Sequence, residues 1–142
     1  MKKLCTSDSG QTTIEMVLVM PLLFALLLGA MEYGRLWYIS IEVTSAATAG
    51  VEYGSQNHAV ASDFSGMQNV AMNDGLDIQT VKPSGIAATA THFCTPNNSC
   101  SGTNQTEYVQ VNTQVSVDSL FNSYFRVTPY VLHGQAIMRV RE

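Results

Sequence analysis

The chain has 142 residues, 46% hydrophobic and only 13% charged, with a formal net charge of −4: room for one small domain and an anchor. No basic patch is available to hold a phosphate backbone, which argues against nucleic acid as a partner. Ser, Thr, Asn, Gln and Gly do much of the solubilising, a composition that suits an extracytoplasmic surface.

Residues 1–10 form a short polar leader with Lys2, Lys3 and Cys5. Gly10 is followed by Gln11-Thr-Thr-Ile-Glu15 and then by an apolar run. Loss of the leader would remove Lys2, Lys3 and Asp8 from 7 bases and 11 acids, leaving a formal charge of −5. Glu15 stands at the mouth of a membrane-length segment, where an acid is costly: about 2.5–3.5 kcal/mol at a bilayer centre, less near the edge. An acid there is a functional candidate.

Met16 to Met31 carries no formal charge. Its sixteen residues span roughly 24 Å as a helix, slightly short of a hydrocarbon core of ~30 Å. The run continues past Glu32 and Arg35, spaced to pair on one helix face, and Tyr33, Trp37 and Tyr38 suit a membrane interface. Lys2 and Lys3 place the N-terminus in the cytoplasm and the chain beyond about Tyr33 outside. An ordinary secretory signal fits poorly, because Leu28 occupies the small-residue place before Gly29-Ala30 and Glu15 interrupts the apolar region. A lipoprotein reading of Cys5 fails because no apolar stretch precedes it.

One helix is expected from about Thr13 to about Gly50, with Pro21 kinking or locally unwinding it. Its outer half carries a stripe, Leu36, Ile39, Val43, Ala46 and Gly50, which should pack on the chain's own C-terminal domain. After a break at Gly54-Ser55-Gln56-Asn57, Ser62 or Asp63 should cap a short helix over Phe64, Met67, Val70 and Ala71, ended by Asn73-Asp74-Gly75. Strands are expected over 76–81, 86–93, 108–117, 127–131 and 135–141, with a break near His133-Gly134. The clearest is 108–117, where Val109, Val111, Val115 and Val117 alternate with Gln110, Asn112, Gln114 and Ser116: one buried face, one wet face, as in an antiparallel sheet. The fold class is α+β: a long helix packed on a small antiparallel sheet, with one short extra helix. The parts are a leader (1–10), a long transmembrane and amphipathic helix (11–53) and an extracytoplasmic α+β domain (54–142).

Cys94 and Cys100 lie in a Pro/Asn-rich loop, where a disulfide would close a short ring worth about 2.4 kcal/mol. His92 beside them adds a third donor, but a zinc site needs four, so no metal and no cofactor is expected. His58 and His133 show no ligand spacing, and no nucleophile elbow or phosphate loop is present, so nothing points to an enzyme. Tyr124, Phe125 and Tyr130 are candidates for a contact patch, set against an ordinary loop and sheet core.

Taken together, Gly10, Glu15, Leu18-Val-Met-Pro21-Leu-Leu-Phe, Gly29-Ala-Met-Glu32-Tyr-Gly34-Arg35, the small-residue stretch Ala46–Gly50, the pair Cys94 and Cys100, Tyr108-Val-Gln-Val111 and the tail Gly134-Gln-Ala-Ile-Met-Arg139-Val resemble the TadE-like minor pilins (pseudopilins) of the tight-adherence type IV pilus system. Residues 10–50 are the specific part; 55–105 carry almost none of the likeness. Two positions depart from it: Glu52 stands where a basic residue is expected, and Met16 follows Glu15 where major pilins of the system place Tyr. The resemblance implies cleavage between Gly10 and Gln11 by a prepilin peptidase, and Glu15 as a register device against the new N-terminal amine of a neighbouring subunit. Its implied partners are other pilin and minor pilin subunits, the prepilin peptidase, the inner-membrane assembly platform and lipid. The implied role is structural, priming, capping or assembling an adhesive fibre from the inner membrane. The alternative is an uncleaved, single-pass anchored binding module.

Overall fold

A computed structural model describes residues 8–75, 85–95, 100, 105–120, 122 and 128–141, with 8–12 described by backbone alone. The elements in order are α1 (Asp8–Gly54), α2 (His58–Ala61), α3 (Phe64–Asp74), β1 (Ala87–Thr95), β2 (Thr106–Val117) and β3 (Tyr130–Arg139). The chain divides into two compact units, one up to Arg35 and the other from Leu36 onward. Among the described residues the architecture is α+β: a long N-terminal apolar helix, two short helices and a three-stranded antiparallel sheet.

Helix α1 begins at Asp8, earlier than the apolar periodicity alone suggests, and continues through Pro21 without a break in its helical run. A proline costs one N–H bond and a clash one turn back, but the surrounding run of Leu, Met, Val and Ala favours helix on both sides. In the first unit its side chains from Thr13 to Met31 are all exposed, among them Leu18 at 77% and Phe24 at 60%. Glu32 is buried, and Arg35 Nη1 lies 3.6 Å from its Oε2, the i, i+3 pair expected from the spacing.

In the second unit the sheet order is β1-β2-β3, each neighbour antiparallel. Strand β2 is central and obeys a strict period of two: Val109, Val111, Thr113, Val115 and Val117 are buried, while Gln110, Asn112, Gln114 and Ser116 face away. The outer half of α1 covers that inner face. Ile39, Val43 and Ala46 pack with Ile86, Val115 and Val117, with Leu36 and Leu132 at the margin. Val51 joins Ala61, Met67 and Ala71 of the short helices and Val109, Val111 and Val140 in a second cluster. The helical stripe expected to pack on the chain's own domain does so.

Thr113 is the one polar side chain in the middle of β2's buried face. Its hydroxyl donates to the Val43 carbonyl at 2.7 Å, tying sheet to helix. Gly134 lies opposite it in the β2–β3 register. A Cβ at Gly134 would fall 2.5 Å from the Val43 oxygen and 2.7 Å from Thr113 Oγ1. The break expected near His133-Gly134 is therefore absent: β3 runs continuously through a glycine that marks close helix approach, not a turn. At the other end of the contact, a Cβ at Gly54 would fall 2.2 Å from Met67 Sδ, so α3 crosses α1 where the helix has no side chain.

Asp63 caps α3, its Oδ1 accepting from Gly66 N at 2.9 Å, and Gly75 follows the last turn, as the sequence implies. The one-turn α2, capped by Asn57, is an addition to the expected elements. The strand expected over 76–81 lies outside the described residues. The C-terminal segment is fastened by Val140 N to Glu107 O and Arg141 N to Ser55 O, each 2.9 Å.

Gly134→Ala should lower the stability of the full chain in detergent by about 1–3 kcal/mol, the usual cost of overpacking, read as a fall in the thermal midpoint. An unchanged midpoint would mean the helix–sheet approach is looser than the geometry requires. The Gly66 N–H, and after it the Ser65 hydroxyl, hold the Asp63 carboxyl below its ordinary value. A depressed folded value means the cap contributes fully above the unfolded value of about 3.9 and loses that contribution as pH falls through the folded value. Thermal midpoints measured down to about pH 2.5 should therefore fall less steeply in Asp63→Asn than in the parent chain.

Candidate functional site

Among the described residues, two regions carry chemistry that packing does not explain. The first is the N-terminal part of α1. The backbone of Gly10 and Gln11 is already helical, and Glu15 is exposed on the same helix among Ile14, Met16 and Val17, which are also exposed. The most apolar part of Thr13–Gly54 has none of its residues buried, and by length and composition this helix suffices to cross a membrane. A contiguous apolar surface of this extent is not maintained in water and requires lipid or protein against it. Tyr33, Trp37 and Tyr38, the expected interface aromatics, are exposed where α1 leaves its most apolar stretch.

The second region is the end of the sheet where β1 and β2 meet. Cys94 and Cys100 are joined by a disulfide with a Cα–Cα distance of 5.3 Å. Antiparallel register sets Cys94 directly opposite Glu107, and His92 precedes Cys94 by two residues on the same face of β1. Donor atoms of His92, Cys94, Cys100 and Glu107 consequently lie within 4.8 Å of one another. His92 Nε2 is 3.6 Å from Glu107 Oε2 and 3.7 Å from Cys100 Sγ. His58, at the start of α2, reaches the same carboxylate, with Nδ1 2.6 Å from Oε2. On the opposite face of the same strand pair, Phe93 stacks on Tyr108 with ring centroids 5.7 Å apart.

Sequence reasoning counted three donors here and missed the fourth. Glu107 is separated from Cys94 by the whole β1–β2 connection, and only strand register brings them together. The signal available was the hairpin itself: two strands of β propensity flanking a Pro/Asn-rich loop. His133 is not part of the cluster; it is exposed on β3 opposite Gln114. Tyr130 opens β3 and is exposed, while Tyr124 and Phe125 lie outside the described residues.

Residues 10–52 match the family model described as TadE-like protein. The match covers less than half of the chain and coincides with α1 from Gly10 almost to its end. The family so described is structural and pilus-associated and is not known as enzymatic. No curated protein and no solved structure matches the chain.

Reduction of the Cys94–Cys100 bond, or its replacement by Cys94→Ser with Cys100→Ser, should lower stability by about 2.4 kcal/mol for so short a ring. A urea titration of the full chain in detergent, followed by sheet circular dichroism, would read this as a lower midpoint with unchanged slope. An unchanged midpoint would show that the bond does not constrain the unfolded chain.

Proposed function

We propose that this chain is a minor pilin-like subunit of a tight-adherence pilus, inserted with its N-terminus in the cytoplasm, cut after Gly10, and used structurally to prime, cap or assemble the fibre. The observation that carries the reading is the exposed apolar stretch of α1 from Thr13 to Met31 with a single acid, Glu15, near its start, within the segment matched by the TadE-like family. An α-then-β order, with the outer half of that helix serving as the core of a folded domain, supports it further.

The physical logic is as follows. Cleavage at Gly10 frees the amine of Gln11. Within a bundle of apolar helices, an ammonium and a carboxylate offset each other's desolvation, whereas either one alone is penalised by several kcal/mol in order of magnitude. Glu15 of one subunit against the Gln11 amine of the next therefore sets axial register. Its partners are other pilin and minor pilin subunits, the prepilin peptidase, the assembly platform and membrane lipid.

A second reading, an uncleaved single-pass anchor for an extracytoplasmic binding module, draws on one observation: α1 is helical straight through Gly10 and Gln11. A peptidase would have to unwind this turn, which the glycine eases by about 1 kcal/mol relative to alanine. Mass spectrometry of the mature N-terminus separates the two. The proposal expects Gln11 as first residue, and Glu15→Ala expects normal cleavage with loss of the subunit from sheared surface fibres. An intact leader would favour the anchored module, and normal incorporation of Glu15→Ala would remove the register role.

A further inference from the structure

We propose that His92, Cys94, Cys100 and Glu107 form a zinc site in the reduced chain, and that the Cys94–Cys100 disulfide and the metal are alternative staples of the same sheet end. The inference stands apart from the assembly reading, since none of these residues lies in α1.

The donor set is complete. Two thiolates, one imidazole nitrogen and one carboxylate oxygen match the four-coordinate N/S/O preference of Zn²⁺. Their atoms already lie within 4.8 Å of one another. Neighbouring ligand atoms around tetrahedral zinc lie about 3.3–3.8 Å apart, given bonds of roughly 2.0–2.3 Å. His92 Nε2 is at 3.6 Å from Glu107 Oε2 and 3.7 Å from Cys100 Sγ, so two of the six separations already have the required size. Once the disulfide opens, the sulfurs are free to separate to the same range.

Placement is dictated by rigid elements. Cys94 and Glu107 are cross-strand partners, and His92 shares their face two residues away. Three of four ligands thus sit on paired strands, and only Cys100 arrives from the connection. Cys94 is fully buried while the side chains of His92 and Glu107 are 15% and 20% exposed, giving a partly desolvated site open to a metal from one side. His58 Nδ1, 2.6 Å from Glu107 Oε2, is placed to orient the carboxylate from outside the ligand shell.

The chemistry balances. A trialkylphosphine gives two electrons to the disulfide and takes the oxygen of a water molecule to become the phosphine oxide, yielding two thiols. Zn²⁺ then displaces the two thiol protons and binds the thiolates. The same pair of thiols exists on the newly made chain before the bond is formed, when metal and oxidation compete for them.

The test uses the full chain in detergent micelles with Cys5→Ser, which removes the third thiol. After phosphine reduction and anaerobic desalting, Zn²⁺ affinity is measured by competition with a chromophoric chelator, and Co²⁺ serves as a spectroscopic probe. One Zn²⁺ per reduced chain is expected, bound at least about 100-fold more tightly than by the oxidised chain, with thiolate-to-cobalt charge-transfer bands in the Co²⁺ form. His92→Ala and Glu107→Gln should each weaken binding by at least about 10-fold. Equal affinity in the two redox states would overturn the proposal. So would unchanged affinity in both His92→Ala and Glu107→Gln, or loss of sheet circular dichroism on reduction before metal is added.

Discussion

The structure depends on one contact: the outer half of α1 lying against the inner face of β2 and β3. Ile39, Val43, Ala46 and Val51 supply the apolar surface, and β2 answers with four buried valines. Burial of this kind is worth roughly 25 cal/mol per Å² and has no direction of its own. Direction comes from two residues. Thr113 donates to the Val43 carbonyl, and Gly134 leaves room for the helix backbone at that spot. A one-residue slip of β2 would put glutamines and asparagine under the helix, so packing and register enforce each other.

Everything at the far end of the sheet follows from that register. The antiparallel pairing of β2 with β1 places Glu107 opposite Cys94, where His92 and, through α2, His58 meet the same carboxylate. Helix α2 is held there because α3 packs Met67 across Gly54 at the end of α1. The same helix that fixes the domain carries, from Thr13 to Met31, a stretch whose side chains are all exposed. One element therefore presents two surfaces: its C-terminal half packs on a sheet, and its N-terminal half is long and apolar enough to cross a membrane.

How much of this was legible in the sequence differs by element. The long helix and its stripe, the Asp63 cap and strand β2 were readable because each is a local pattern: a period of 3.6, a capping residue or strict alternation. Gly134 was misread, since the same residue marks a turn when it supplies backbone freedom and a close approach when it merely lacks a side chain. The continuous β3 could be known only once α1 was seen against it. Of the candidate site, Gly10, Gln11, Glu15 and the cysteine pair stood out from neighbours within a few positions. Glu107 and His58 did not, because their meeting with His92 is a product of strand register and helix packing across long sequence separations. The start of α1 at Asp8 also escaped, as polar residues before an apolar run carry no helical periodicity.

The division of α1 between two environments is the central claim, and spin labels test it most directly. Single nitroxides placed at Phe24 and at Ile41 of the full chain in lipid vesicles would be exposed in turn to dissolved oxygen and to a water-soluble paramagnetic nickel chelate. The account predicts that the label at 24 is relaxed by oxygen and shielded from the chelate, and that the label at 41 shows the reverse. Strong relaxation of both labels by the chelate would contradict it.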